Sequence, residues 1–183
     1  MLGPSGTGVL YGKYKLLEIL EPFMVGGDTV SSSTYTSQEF LAPPEKFEAG
    51  LQDYAGIIGL GEATRYLTSI GFSAIEKRVC ELNSYISQEL LTIPNLTIIG
   101  PKDAAQRGGI VSLYIKGIDH HQIALILDQS ANIMVRSGQH CVHSWFQHNN
   151  VPGTVRVSLY FYNTMEEAEL FVKELKRVVK VLQ

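Results

Sequence analysis

Between Ala55 and Leu91 the apolar residues recur at helical spacing with a single interruption, and no other stretch does more to restrict how the chain can fold. Ile57, Leu60, Gly61, Thr64 and Leu67 form one stripe, while Ile75, Val79, Leu82, Ile86 and Leu90 form a second within residues 72–91. Gly71 between them reads as a helix stop, and Pro94-Asn95 closes the second helix. Helices that are apolar on one face must bury that face against other elements. Residues 96–99, 109–115, 133–135 and 154–159 have the composition of short strands, and residues 120–128 that of a helix. Residues 165–182 form an amphipathic terminal helix, led by Glu166-Glu167 and ending among Lys176, Arg177 and Lys180, as the helix dipole favours. Strands separated by helices in mixed order predict an α+β layer: a small, mainly antiparallel sheet covered by helices 55–69, 72–91 and 165–182.

The first 50 residues have a different character. Gly3-Pro4-Ser5-Gly6-Thr7-Gly8 is a glycine-rich turn, followed by a short strand at 9–11 and a short helical pattern at 13–20. Residues 22–50 then carry Gly26-Gly27-Asp28, a Ser/Thr run and Pro43-Pro44, which predict a long connection with one hairpin. A chain that opens on such a turn, with no earlier element to pair with its first strand, is expected to be a piece of a larger fold. The expected division is residues 1–50 as the remnant of a larger domain plus a connecting or dimer segment, and residues 51–183 as a small domain. Val9, Leu10 and Tyr11 are then expected either to be exposed or to be covered by another copy of the chain.

Composition removes several classes of function. A net charge of −3 with 18% charged residues leaves no excess of basic charge for a nucleic-acid backbone. No apolar run reaches the ~20 residues that span a bilayer. The opening residues have neither the basic start nor the apolar core of a signal peptide. Two cysteines, Cys80 and Cys141, in segments of different character argue against a disulfide framework and for a reducing, cytoplasmic setting.

The stretch richest in chemistry is Val135-Arg136-Ser137-Gly138-Gln139-His140-Cys141. A strand delivers the chain into a glycine-containing loop, and a cysteine follows beside a histidine and near an arginine. Nearby positive charge favours the thiolate, the nucleophilic form of a cysteine. A lone cysteine without such neighbours would be read as a small buried hydrophobe. His140, Cys141, His143 and His148 together match no strong zinc spacing, so no metal site is expected.

In this setting the segment closely resembles the Arg-x-Gly-x-His-Cys signature of the SUF-type, NifS-like cysteine desulfurases, which lie within the class V aminotransferase family of pyridoxal-phosphate enzymes of fold type I. Three further blocks agree in order and spacing. Residues 3–12, Gly-Pro-Ser-Gly-Thr-Gly-Val-Leu-Tyr-Gly, resemble the block after the cofactor lysine. Phe47-Glu48-Ala49-Gly50 with Gly56-Ile57-Ile58-Gly59-Leu60-Gly61 resembles the central block, and residues 155–164 resemble the block with the carboxylate-binding arginine.

The resemblance covers essentially the whole chain and implies the C-terminal portion of such an enzyme: a small domain plus a remnant of the large one. It implies conversion of L-cysteine to L-alanine with a persulfide left on Cys141, as a sulfur supply for iron–sulfur cluster assembly. Arg156 would grip the substrate carboxylate bidentately, as a lysine cannot. Arg136 and His140 would tune the thiolate, shuttle a proton or order the loop. It also implies a homodimer and a sulfur-acceptor protein. The lysine that holds the cofactor would precede Gly3-Pro4, and no lysine present has that context, so this piece by itself is expected to be inactive. Where many relatives have Gly-Thr, with the hydroxyl reaching the partner subunit's cofactor phosphate, this chain has Gly50-Leu51. Backbone amides of Gly50 or Gln52 remain candidates for that contact. Three other readings stand beside this one: a selenocysteine lyase of the same family, a related lyase or epimerase without a thiol, and a non-catalytic dimerisation module.

Overall fold

The structure is a computed structural model describing all 183 residues, and the chain divides into two compact units, Met1–Ile70 and Gly71–Gln183. The boundary falls at Gly71, whose φ of 91° suits glycine, rather than after residue 50. The helix expected to open the small domain belongs to the first unit because the N-terminal turn rests on it. A Cβ at Gly59 would stand 2.7 Å from Pro4, and Gly3 abuts Leu60 as closely.

In the first unit, α1 (Tyr14–Ile19) is followed by a hairpin of β1 (Val30–Ser33) and β2 (Gln38–Phe40), then by α2 (Tyr54–Ile70). The hairpin confirms the one expected within residues 22–50. Its strands are antiparallel, with Val30 opposite Phe40 and Ser33 opposite Gln38. Thr34 closes its turn by accepting from the N–H groups of Thr36 and Ser37. Asp53 starts α2 by accepting from the Gly56 N–H at 3.0 Å. Of the expected stripe along α2 only Leu67 is buried and Leu60 half-buried, while Ile57, Gly61 and Thr64 are exposed; Ala63 and Gly56 are the other buried residues of the helix. Residues 9–11 form no strand. A strand needs a neighbour for its N–H and C=O groups, and here Val9, Leu10 and Tyr11 are exposed.

The second unit holds the main core. Helix α3 (Phe72–Leu90) buries Ile75, Val79, Leu82, Ile86 and Leu90, the five residues of its stripe. Strands β3 (Leu96–Ile99), β4 (Ile110–Ile115), β5 (Arg136–Gly138) and β6 (Thr154–Ser158) form one antiparallel sheet in the order β3-β4-β6-β5. The cover is α3, α4 (His120–Ala131) and α6 (Met165–Leu182), with a short α5 (His143–His148) between β5 and β6. Val111, Leu113, Ile115, Val155 and Val157 point into the core alongside Ile123, Leu127, Phe171 and Leu175. Each such side chain contributes roughly 1.5–3 kcal/mol by leaving water.

Helix α6 begins with a capping box: Thr164 accepts from the Glu167 N–H, and the Glu167 carboxylate accepts from the Thr164 N–H. Loop anchoring comes from a buried polar cluster. The fully buried Asn83 amide donates to the Gly108 carbonyl, while Arg107 donates to Asn83 Oδ1 and Ser87 Oγ.

One strand lies later than expected. Residues 133–135 are not paired, and the ladder begins at Arg136. Asn132, at φ 53°, ends α4 in the left-handed conformation, and Ile133 and Val135 pack partly buried against the core on the way to β5. Their apolar character reflects burial rather than pairing. No helix is long and apolar enough to cross a membrane.

Candidate functional site

Alternation along β6 places Val155 and Val157 in the core and Arg156 on the sheet's other face. Arg156 is paired in register with Ser112 of β4 on one side and Arg136 of β5 on the other. Its Nε is buried and has no hydrogen-bond partner. A buried unpaired guanidinium N–H is costly, and an arginine so placed offers a ready donor to an anion.

The last rung of the β5/β6 ladder pairs Gly138 with Thr154. Beyond it the chain reverses through Gln139-His140-Cys141-Val142, closed by the Val142 N–H to the Gln139 carbonyl at 2.9 Å. His140 and Cys141 have φ values of 51° and 64°. Two successive positive φ angles are the signature of a type I′ turn, which ordinarily takes Asn-Gly or Gly-Gly. Two side-chain-bearing residues in that position store strain of the kind found at working sites. The turn leaves Cys141 exposed, with the Arg136 Nη2 donating to Sγ at 3.7 Å. Cys80, by contrast, is partly buried on α3 with Ser84 Oγ at 3.9 Å.

His140 turns the other way. Its Nε2 lies 2.8 Å from Thr154 Oγ1, its ring meets Phe146 edge-on, and its Nδ1 is buried without a partner. Burial first, then the guanidiniums of Arg156 and Arg136 and the ring of His120, hold its pKa below the ordinary imidazole range, against an opposing influence of Thr154. The ring is therefore favoured in its neutral form.

The structure thus gathers Arg136, His140, Cys141 and Arg156 around the β5/β6 end of the sheet. It adds residues that sequence spacing did not single out. His121 Nδ1 lies 2.8 Å from Ser137 Oγ, and its ring is tilted at 46° against that of His120, with centroids 4.3 Å apart. The adjacent histidines directly after Asp119, the N-cap of α4, were the available signal.

The remaining candidates, Gly50 and Gln52, lie in the first unit. Gly50 has φ 74°, its N–H donates to the Gly27 carbonyl at 2.9 Å, and the Gln52 side-chain amide donates to the carbonyls of Ala49 and Gly50. The Gly50 amide expected as a phosphate contact is thus already engaged. No group of three or more His, Cys, Asp or Glu side chains gathers in metal-binding geometry.

Comparison with known proteins identifies the family and the fold. The family description Aminotransferase class-V matches residues 1–171. A probable cysteine desulfurase of Xylella fastidiosa is 40% identical over 182 residues, spanning 100% of this chain and 43% of the relative. One from Streptomyces coelicolor is 39% identical over 178 residues, 97% of this chain and 42% of that protein. The chain therefore spans less than half the length of these relatives. Among solved structures, the apo cysteine desulfurase of Thermococcus onnurineus superposes with a TM-score of 0.89 at 35% identity, covering 98% of this chain and 44% of that one. An Escherichia coli cysteine desulfurase gives 0.88 at 29% identity, with 99% and 44% covered.

Proposed function

The chain belongs to the aminotransferase class-V family, and from that premise we propose that it is part of a pyridoxal-phosphate-dependent cysteine desulfurase in which Cys141 takes up the sulfur. The observation that carries this reading is Cys141 itself, exposed on a strained turn with its sulfur against Arg136 and one ladder away from the buried, unpaired Nε of Arg156. A structural cysteine needs none of those three features.

Each side chain has a role set by its geometry. Arg156 binds and orients the substrate carboxylate, through which its Nε gains a partner. Arg136 stabilises the Cys141 thiolate by donating to Sγ. The thiolate attacks the sulfur of cysteine: one S–S bond forms, the C–S bond breaks, and the carbon keeps the bonding electrons and is protonated. L-cysteine and a thiol thereby become L-alanine and a persulfide, in balance. His140, held neutral and tied to Thr154, orders the turn.

Bound pyridoxal phosphate would supply the electron sink that makes the C–S bond breakable. The orphaned Nε of Arg156 fits a site for the amino acid attached to such a cofactor. For the phosphate, the backbone N–H of Gln52 is the remaining candidate in the 50–52 turn, acting toward a partner subunit's cofactor. No lysine of the chain stands in the context that would hold the group covalently, so the 183-residue piece is proposed to be inactive by itself. A homodimer and a separate sulfur-accepting protein belong to the same proposal.

The test is alanine formation from L-cysteine by the full-length protein loaded with pyridoxal phosphate, beside the same protein carrying Cys141→Ser. Turnover lost in the variant supports the reading. Full turnover retained there overturns it.

A further inference from the structure

The sheet edge that carries the reacting thiol is short. β5 contributes three residues and three rungs to the ladder, lies at the end of the sheet, and is followed, after Gln139, by two consecutive left-handed residues. An edge strand of that length does not by itself fix a strained turn. The start of α4 supplies what the ladder lacks.

Asp119 accepts from the N–H groups of His121 and Gln122, both at 2.9 Å, and this cap sets where the first turn of α4 presents its two imidazoles. His121 Nδ1 meets Ser137 Oγ at 2.8 Å, and its Cε1 lies where a Cβ on Gly138 would come within 3.6 Å. The His120 ring lies tilted against that of His121 and presses on the residue before β6: a Cβ on the buried Gly153 would stand 2.4 Å from its Nε2. The two rings thus bracket the Gly138–Thr154 rung, one from Ser137 and Gly138, the other from Gly153.

We propose that His121, through Ser137, is a positioning residue that fixes the Cys141 turn and keeps the thiol beside Arg136. His120 is the wedge that seats it. The inference rests on reading Cys141 as the reacting thiol, yet it can be tested without cofactor or substrate, so its failure is distinct from failure of that reading.

The experiment uses the 183-residue chain carrying Cys80→Ser, which leaves Cys141 as its one thiol. Alkylation rates are measured with iodoacetate, an anion, and iodoacetamide, its neutral analogue. A thiol held beside guanidinium groups reacts with the anion at a relative advantage, and the ratio of the two rates reports that placement. The same chain in denaturant gives the ratio for an unplaced thiol. His121→Ala is expected to lower the folded-state ratio about two- to fivefold, the scale of one exposed charge contact. Ser137→Ala should do the same, and the double variant should go no further, because both remove one contact. His121→Asn, which keeps a hydrogen-bonding atom near Nδ1, should restore the ratio. Circular dichroism shows whether each variant is folded, and if His121→Ala is not, Ser137→Ala, which loses one hydroxyl, carries the test. A constant ratio with both rates raised would mean mere loosening and would overturn the proposal. So would additive effects in the double variant.

Discussion

Arg136 and Arg156 stand opposite one another across the antiparallel β5/β6 ladder, two like charges in the same register. Directly opposed like charges cost a sheet roughly 0.2–1 kcal/mol, and Arg156 carries the added burden of a buried, unpaired Nε. Arg156→Gln should therefore stabilise the 71–183 unit by a few tenths to about 1 kcal/mol, seen as a higher denaturant midpoint at unchanged slope. In the full-length enzyme the same change should raise KM for cysteine by about 10- to 100-fold, the worth of a charged hydrogen bond. Arg156→Lys should keep the repulsion and still lose the bidentate grip. A variant that is both less stable and fully active would refute this account.

Cys141→Ser in the full-length protein should cut alanine formation by more than about a hundred-fold, because a hydroxyl near neutral pH is a far poorer nucleophile toward sulfur than a thiolate. Cysteine binding, followed through the cofactor's absorbance, should persist, since the carboxylate anchor is untouched. Cys80→Ser should leave turnover unaltered, because Cys80 lies on α3 with Ser84 as its neighbour.

Acid should weaken the second unit in two stages. His140 and His120 both have folded-state pKa values below the ordinary histidine value, in each case chiefly through burial. As pH falls through the usual imidazole pKa of about 6.5, the unfolded chain takes up protons that the folded chain does not, so stability declines. It levels off once pH passes below the depressed folded values. Asp119, Glu166 and Glu167 have lowered pKa values as well, chiefly from backbone N–H donors, and their contribution is lost only as pH falls below about 4. Melting temperatures from pH 8 to 5 should show the first decline, and His140→Gln should flatten it. An unchanged slope in that variant would remove His140 from the explanation.

Asn83→Leu should destabilise the second unit by about 1–3 kcal/mol despite adding apolar volume, because it takes the side-chain donor from the Gly108 carbonyl and one of the acceptors from Arg107. Burial already lowers the pKa of Arg107. Urea unfolding measures the loss. A neutral or stabilising result would mean that water satisfies the 101–108 loop.

Limited proteolysis should separate the two units. The buried cluster from Leu82 to Val179 lies wholly in the second, whereas Val9, Leu10, Tyr11, Phe23, Tyr35 and Leu51 are exposed in the first. Cuts should fall first within residues 1–50, leaving a resistant piece that includes 71–183, identifiable by mass spectrometry.

The sequence was most readable where one signal settles one element. Helix α6 matches its expected bounds because Thr164 and Glu167 cap it and its stripe is continuous. The stripe of α3 is buried residue for residue. Reading failed where apolar composition had to stand in for hydrogen bonding: Ile133 and Val135 are partly buried without strand pairing, and Val9 to Tyr11 are neither buried nor paired. At the site, Arg136, His140, Cys141 and Arg156 were legible as a motif. The contacts of Thr154, Ser137 and His121 were not, because Thr154 meets His140 only once β6 lies beside β5, and His121 meets Ser137 only once α4 is folded onto β5.

The three-rung β5 ladder also bears on how this region can change over generations. Side-chain direction alternates residue by residue within the ladder, so an insertion or deletion before Arg136 that slipped β5 by one residue against β6 would send Arg136 to the opposite face and leave Arg156 facing another neighbour. Exchanges at Ile133 or Val135 that keep their bulk preserve that parity. Along this approach the chain can drift in identity while its length stays frozen, and insertions or deletions would be borne instead by the polar loop around residues 101–107, outside the strands.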